Sequence, residues 1–139
     1  MGQICFDNNI FVGILSPDED KKPYEIIINQ YFREGEVFWA PSYLPGEFFQ
    51  VLQRKLQAGL FDLKTKQIIE SLFLKLNVVF LFNHSFVELV LSVQRETGLN
   101  YFDAGYIACA LYKDILLITR DKELAKKGQK VYRNIQLIS

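Results

Sequence analysis

Four acidic side chains are placed where they could act together on one metal ion. Asp7 and Asp121 each directly follow a short apolar run. Glu47 lies on the apolar stripe of a predicted helix, and Asp103 opens a predicted helix of small and apolar residues. A carboxylate beside buried apolar surface is costly unless something compensates its charge. We therefore expect these four acids to form one site, with a divalent cation as the natural compensation.

The electrostatics of such a cluster indicate which ion it would hold. Two carboxylates about 4 Å apart repel by roughly 4 kcal/mol at an effective dielectric of 20, and several together drive a proton onto one member. Mg²⁺ or Mn²⁺ relieves this repulsion, because hard cations take oxygen ligands. Such an ion can activate water and hold a phosphodiester for in-line attack. His84 is the single histidine, so a structural zinc site is not expected.

Each acid also has a purely structural interpretation. Asp7, Asp103 and Asp121 all precede or open predicted helices, where an aspartate commonly caps the helix. Glu47 could extend from the edge of its helix into solvent. A structural role for all four at once is less expected than for any single one.

Length, charge and cysteine content limit the class of protein. The chain has 139 residues and twelve phenylalanines, which predicts a single domain spanning residues 1–139 with an ample core. Sixteen basic residues balance sixteen acidic ones, which argues against a protein that coats nucleic-acid duplexes but allows a local basic groove. Cys5 and Cys109 lie in apolar stretches and are predicted to be buried, free thiols of a reducing compartment.

The remaining signals favour a cytoplasmic location. The start, Met1-Gly2-Gln3, lacks the basic segment of a signal peptide. No uncharged apolar run reaches about 18 residues, so no membrane span is expected.

Short apolar runs alternate with helical periods along the chain. Predicted strands cover 3–6, 36–40, 78–82 and 115–119, with a last strand at 131–132 or 136–138. Predicted helices cover 8–15, 24–34, 63–76, 86–97, 103–113 and 122–127. A further helix is predicted from the N-cap Ser42 to about residue 58. In the helix over 63–76, the residues predicted to face inward are Leu63, Ile68, Leu72 and Leu76. Continuous apolar strands separated by helices indicate a parallel sheet covered on both faces. The predicted fold class is therefore α/β, a three-layer α/β/α sandwich with a central, mostly parallel sheet.

Sheet topology predicts where the acids lie. Ligands of such folds bind beyond the carboxyl ends of the strands. Asp7 and Asp121 follow strands directly, and Glu47 lies in the first turns of the helix after the second strand. These three are expected at one edge. Two helices separate the third and fourth strands, so this logic leaves the edge of Asp103 open.

Three segments carry a resemblance to a known family. Residues 4–12, 101–108 and 116–124 resemble the signature regions of PIN-domain nucleases, and residues 41–52 resemble the family's acidic helix. Length and layout are most similar to the VapC-type toxins of toxin–antitoxin pairs. The resemblance covers almost the whole chain, and the order of the segments is more specific than any one motif.

The resemblance implies a fold, an activity and a set of site residues. It implies the same sandwich, with Asp103 at the common pocket, and Mg²⁺- or Mn²⁺-dependent ribonuclease activity. The matched positions make Asp7, Glu47, Asp103 and Asp121 the metal-binding and catalytic acids.

Two polar residues match supporting positions of the family, and two segments depart from its pattern. Asn9 stands where the family has a small polar residue, and the Thr119 hydroxyl could orient a carboxylate or a water. Gly105 replaces a larger residue, and Pro45-Gly46 stands before Glu47 where helix formers are commoner.

The resemblance also implies partners. Arg54, Arg120 and Lys122 are candidates for holding RNA phosphates, with ordinary surface charge as the alternative. A cognate antitoxin and a homodimer are expected.

The sequence thus predicts a metal-dependent endoribonuclease acting as a toxin. The main alternative is a non-catalytic PIN-like module that binds RNA or a protein. A phosphoacceptor receiver domain is disfavoured because the third strand ends in Asn83 instead of aspartate. A haloacid-dehalogenase-like phosphatase would need Asp-x-Asp after the first strand, where this chain has Asp7-Asn8-Asn9.

Overall fold

A parallel β-sheet forms the centre of the protein. The computed structural model describes residues 2–32 and 35–139, and within these ranges five strands pair in the order β3-β2-β1-β4-β5. Every pairing is parallel. The strands are β1 (Gln3–Phe6), β2 (Val37–Pro41), β3 (Val78–Leu81), β4 (Leu116–Thr119) and β5 (Ile135–Leu137). The predicted α/β class with a parallel central sheet is confirmed.

Helices connect the strands and flank the sheet. They are α1 (Asn8–Leu15), α2 (Glu25–Tyr31), α3 (Leu44–Gln57), α4 (Leu63–Leu74), α5 (His84–Thr97), α6 (Tyr101–Lys113) and α7 (Lys122–Gly128). A short 3-10 helix, Lys22–Tyr24, precedes α2. The helix predicted over 24–34 is therefore shorter in its described part, and its last two positions, 33 and 34, lie outside the described residues.

The middle strand β1 sets the position of the first acid. Ile4 lies opposite Phe38 of β2 on one side and opposite Leu116 of β4 on the other. Both neighbours run parallel to β1, so the carboxyl ends of all three strands meet at one edge. The side chains of Ile4, Cys5 and Phe6 are buried, which explains why this strand reads as a continuous apolar run.

Three predicted helix starts are wrong, by one residue for α3 and by two for α5 and α6; α5 begins at His84 instead of residue 86. Ser42 is not an N-cap, because its backbone N–H donates to the Leu81 carbonyl at 3.1 Å and continues the pairing of β2 with β3. The α3 helix begins after Tyr43, with Pro45 in its first turn as predicted. The α6 helix begins at Tyr101 because the Asn100 side chain caps it, accepting from the Asp103 N–H at 2.8 Å.

The predicted inward face of α4 is also wrong. Ile69 and Phe73 are the buried residues of this helix, whereas Leu63, Ile68 and Leu72 are exposed. Phe73 stacks on Phe48 of α3 with ring centroids 4.3 Å apart, and this contact determines how α4 is rotated. Two apolar stripes lie side by side on the helix, and periodicity alone does not distinguish them. Leu76, the fourth residue of that face, is partly buried but follows the end of the helix.

The predicted burial of the two cysteines is confirmed. Cys5 and Cys109 are free and buried. Among the helices of residues 2–32 and 35–139, none combines the length and the apolar character needed to cross a membrane.

Candidate active site

Asp7 is the most deeply buried of the four acids. It follows β1 directly and is only 5% exposed. One carboxylate oxygen, Oδ1, accepts from the Ile10 N–H at 3.2 Å and caps α1. The other, Oδ2, accepts from the Thr119 hydroxyl at 2.5 Å. Asp7 is thus both a helix cap and a buried charge at the sheet edge.

Thr119 links two of the acids through a single hydroxyl. While its Oγ1 donates to Asp7, it also accepts from the Asp121 backbone N–H at 3.0 Å. The Asp121 side chain caps α7 by accepting from Glu123 N–H at 2.9 Å and Leu124 N–H at 3.1 Å. Because β1 and β4 are neighbours in the sheet, this link joins the ends of two adjacent strands.

Glu47 reaches the site from α3. It lies in the first turn of that helix, so the preceding Pro45-Gly46 pair does not prevent Glu47 from being part of the helix. Its Oε1 accepts from the buried Tyr106 hydroxyl of α6 at 2.6 Å. Tyr106 therefore orients Glu47, a role that no spacing in the sequence indicated.

Asp103 lies in the first turn of α6. Its Oδ2 accepts from the Asn100 side-chain amide at 3.2 Å. Asp103 lies close enough to the other acids to interact with their charges, since Asp121 raises the pKa of Asp103, and Asp103 raises the pKa values of Asp7 and Glu47.

The pKa shifts show that the acids occupy one electrostatic environment. Burial raises the pKa of Asp7 from 3.8 to about 6; the hydrogen bonds from Thr119 and Ile10 oppose this shift, and the charges of Asp121 and Asp103 add to it. Burial, with the charge of Asp121, raises the pKa of Asp103. Burial also raises the pKa of Glu47, where Asp103 adds to the effect and the Tyr106 hydrogen bond opposes it.

The structure thus brings all four predicted acids to one edge, and it also supports part of the structural interpretation. Asp7 and Asp121 do cap helices, whereas Asp103 and Glu47 do not. The donor set consists of carboxylate oxygens and so suits a hard cation. In the described part of the chain, however, no three Asp, Glu, His or Cys side chains converge in a geometry that could hold a metal ion.

Two clefts flank the acids and share Val51 of α3. The first, which we call the Glu47 cleft, has a volume of about 400 Å³ and is lined by Asn8, Tyr43, Gly46, Glu47, Gln50, Val51, Arg54 and Phe102. The second, the Asp121 cleft, has about 450 Å³ and is lined by Asn9, Val12, Glu19, Tyr24, Val51, Lys55, Arg120 and Asp121. Glu47 and Asp121 therefore each line one of two clefts that share Val51, whereas Asp7 and Asp103 line neither.

The three predicted phosphate-binding residues are placed differently. Arg120 is held beside Asp121: its Nη1 donates to the Tyr24 hydroxyl at 3.1 Å, and its guanidinium lies 5.4 Å from the centre of that ring. Arg54 is exposed and lines the Glu47 cleft. Lys122, the first residue of α7, is exposed and lines neither cleft.

Comparison with known proteins identifies the family. A family model described as PIN domain matches residues 4–130. The chain therefore belongs to the PIN domain family, and the resemblance of its three motifs is confirmed. No curated protein sequence matches the chain.

Solved structures share this fold at low identity. PAE2754 from Pyrobaculum aerophilum is 21% identical with a TM-score of 0.67, over 90% of this chain and 78% of its own. A toxin-antitoxin complex from Klebsiella pneumoniae is 15% identical with a TM-score of 0.66, over 96% and 95%. VapC20 of Mycobacterium tuberculosis, a sarcin-ricin loop cleaving toxin, is 13% identical with a TM-score of 0.65, over 90% and 95%.

The double role of Thr119 leads to a testable stability prediction. Thr119→Val keeps the side-chain shape but removes the donor to Asp7 and the acceptor for the Asp121 N–H. We expect it to lower the free energy of unfolding by about 1–3 kcal/mol, because a buried carboxylate and an amide both lose a partner. Thr119→Ser keeps the hydroxyl and should lose less. Equal stability of the two variants in urea denaturation would show that the hydrogen bonds of the Thr119 hydroxyl contribute nothing to the free energy of unfolding.

Proposed function

We propose that this protein is a divalent-metal-dependent endoribonuclease that acts as a single domain spanning residues 1–139. The observation that carries the proposal is the closeness of the acids: the charges of Asp121 and Asp103 act on Asp7, that of Asp121 acts on Asp103, and that of Asp103 acts on Glu47. Burial and neighbouring charges raise the pKa values of Asp7, Glu47 and Asp103, and a bound cation would relieve both effects.

The structural relatives support RNA as the substrate and an antitoxin as the partner. VapC20 is named for cleaving the sarcin-ricin loop, and the Klebsiella protein was solved as a toxin-antitoxin complex. We extend both properties to this chain, together with a cytoplasmic location and a homodimer. A neighbouring gene for a small DNA-binding protein would support the toxin role.

Each side chain has a defined part in the proposed reaction. Asp7, Glu47, Asp103 and Asp121 would hold Mg²⁺ or Mn²⁺, which supplies Lewis acidity to the phosphodiester and its attacking water. Thr119 orients Asp7 through its hydroxyl, and Asn9 lines the Asp121 cleft. Arg120, Arg54 and Lys122 would contact RNA phosphates as positioning groups. Arg120 is already held in place by Tyr24.

Cleavage of RNA by the purified protein tests the proposal directly. We expect cleavage with Mg²⁺ or Mn²⁺, none with EDTA, and none by Asp121→Asn. Asparagine is as good an N-cap as aspartate, so α7 should persist in this variant. Asp62→Asn, the same change at the exposed N-cap of α4, is the matched control and should cleave normally. Robust cleavage in EDTA, or by Asp121→Asn, would refute the assignment.

A non-catalytic module that binds RNA or a protein is the second candidate. The absence of a converged metal-holding group among residues 2–32 and 35–139 favours it. Titration with Mn²⁺ separates the two functions, because a ligand that binds only the folded state raises the melting temperature. The nuclease predicts a rise that Asp121→Asn abolishes, whereas a non-catalytic module predicts no rise that depends on the acids.

A further inference from the structure

The Asp121 cleft is lined by two basic side chains that differ in what they bind. Arg120 is exposed, and no carboxylate of residues 2–32 and 35–139 forms an ion pair with it. Lys55 lines the same cleft, but its Nζ lies 2.6 Å from Asp18 Oδ2 and 2.8 Å from Glu19 Oε2. Only 12% of the Lys55 side chain is exposed. Arg120 is therefore open to an anion from solution, whereas the charge of Lys55 is already neutralised.

Tyr24, the last residue of the 3-10 helix, holds the Arg120 side chain in one place. Its hydroxyl accepts from Arg120 Nη1 at 3.1 Å, and the guanidinium lies 5.4 Å from the centre of its ring. Tyr24 is itself buried against α1 at Gly13, where a Cβ would lie 2.1 Å from Tyr24 Cζ. An arginine whose side chain is already ordered loses less conformational entropy when it binds a ligand. The contact with Tyr24 thus prepares Arg120 for binding.

The segment that carries Tyr24 also carries the two acids that pair with Lys55. We call residues 16–24, which join α1 to α2, the connecting segment. Its Ser16 hydroxyl donates to the Asp18 carboxylate, and Lys21 Nζ donates to the Gly13 carbonyl of α1 at 2.9 Å. These bonds fasten the connecting segment to the end of α1, so its acids stay beside Lys55.

We propose that the connecting segment limits the Asp121 cleft to one RNA phosphate: Tyr24 presents Arg120 to that phosphate, while Asp18 and Glu19 keep Lys55 from binding a second one. This inference rests on the ribonuclease function proposed above and adds to it a positioning residue, Tyr24, and a device that controls how the strand is placed. A guanidinium can bind a phosphate with two parallel hydrogen bonds.

The number of phosphates in the cleft determines how the strand is placed relative to the acids. Arg120 directly precedes Asp121 in the chain, so a phosphate on Arg120 lies beside the candidate active site. A second available cation in the same cleft would offer the backbone another position. Neutralising Lys55 within the protein leaves one preferred position for the strand.

The salt dependence of RNA binding counts the phosphate contacts. The probe is a short fluorescein-labelled single-stranded RNA of mixed sequence in EDTA, and fluorescence anisotropy gives its affinity from about 20 to 200 mM KCl. Each phosphate contact with a single strand contributes about 0.7 to the slope of log affinity against log salt. We expect Arg120→Ala to reduce the size of this slope by about 0.7. Asp18→Asn with Glu19→Gln frees Lys55 and should increase it by about 0.7, and adding Lys55→Gln should remove that increase.

A matched pair of substitutions controls for the loss of two negative charges. Asp20→Asn with Glu25→Gln removes two exposed acids nearby, neither of which pairs with Lys55. The Tyr24 hydrogen bond raises the pKa of Arg120, and the charge of Asp20 adds to this effect. The control therefore changes the field at Arg120 without freeing Lys55, and its slope should equal that of the wild type.

Tyr24→Phe tests the positioning role, because it keeps the ring but removes the acceptor for Arg120. We expect it to weaken single-strand binding by roughly 2- to 10-fold, the cost of ordering one long side chain. In an Arg120→Ala background the same change should have no effect on binding, whereas a merely structural role of Tyr24 would persist there. Arg120 is exposed, so this background should fold normally.

Several results would overturn the inference. They are equal slopes for the wild type and Arg120→Ala, an equal increase in slope for the freed-Lys55 variant and its control, a Tyr24→Phe effect that does not depend on Arg120, or no single-strand binding by the wild type. Failure of the ribonuclease proposal looks different, because the slopes would then change as expected while no metal ion supports cleavage.

Discussion

Replacing Asp7 with asparagine is expected to abolish RNA cleavage and, at the same time, to make the metal-free protein more stable near neutral pH. The activity should fall by more than about 100-fold, the upper end of the loss seen for residues that merely support metal ligands. Asparagine has the same shape, can still accept from the Ile10 N–H, and can donate its amide to the Thr119 hydroxyl. The loss of activity would therefore come from the missing charge.

The stability gain follows from the raised pKa of Asp7. Burial raises the pKa of this carboxyl from 3.8 to about 6 in the folded protein, so the folded state favours the protonated form. Below about pH 4 the carboxyl is protonated in both the folded and the unfolded state, so it does not lower the free energy of unfolding. As the pH rises from about 4 to about 6, the unfolded state loses its proton before the folded state does, and the free energy of unfolding falls. One pKa unit corresponds to about 1.4 kcal/mol, so the full cost above pH 6 is about 3 kcal/mol.

Urea denaturation in EDTA over this pH range measures the effect. The wild type should lose stability between about pH 4 and pH 6 relative to Asp7→Asn, and the two should run parallel above that range. Asp62→Asn is again the control, because Asp62 is an exposed N-cap whose pKa is lowered by the backbone hydrogen bond from Thr65. It should show no gain. A less stable Asp7→Asn protein, or one that still cleaves RNA, would contradict this account.

The second large effect is expected from Gly105→Ala in α6. A Cβ at this position would lie 1.7 Å from the Tyr43 hydroxyl oxygen and 2.9 Å from Cζ. Overpacking costs about 1–3 kcal/mol, and the lost hydrogen bond from the Tyr43 hydroxyl to the Phe102 carbonyl adds about 1 kcal/mol. Alanine returns about 1 kcal/mol through helix propensity. We expect a net loss of about 2 kcal/mol of unfolding free energy, together with weaker RNA cleavage as Tyr43 moves.

A double variant shows whether the Tyr43 hydroxyl is responsible. Tyr43→Phe removes the atom that would meet the new methyl group, so the two changes together should cost less than the sum of the single changes. Gly46→Ala is the matched control in α3, because its Cβ would meet nothing within 4 Å. It should gain about 0.5–1 kcal/mol. Additive costs for Gly105→Ala and Tyr43→Phe would assign the strain to another contact.

The glycine result also answers a question about packing. Gly105 lies in the interior of α6, where the lack of a side chain lets another residue approach closely. The structure shows that the residue needing this space is Tyr43, which precedes α3. Tyr43 comes 62 positions earlier in the chain, and no local pattern indicates such a contact.

Much of the fold follows from local signals in the sequence. Apolar runs identified the first four strands, and Asp7 and Asp121 precede helices that they do cap. The direction of the strands predicted that Asp7, Glu47 and Asp121 lie at one edge of the sheet, because parallel strands all end on the same side. These signals are predictive because hydrogen-bond periodicity and capping act within a few residues.

Other features depend on contacts between distant segments. The rotation of α4 depends on Phe73 stacking against Phe48, and Ser42 stays with β2 because it pairs with Leu81. The same holds for Tyr106, whose hydroxyl orients Glu47 across 59 positions of sequence.

The sequence by itself determined the family and the α/β class, and it named the four acids as the candidate site. Only the tertiary structure decided how those acids are buried, which hydroxyls hold them, and that Tyr24 and Lys55 line one cleft with Asp121. The physical reason is that an acid which follows a strand in the sequence must lie at the end of that strand, and this depends only on the local direction of the chain. A carboxylate's burial, hydrogen-bond donors and neighbouring charges come from elements that meet only when the chain is folded.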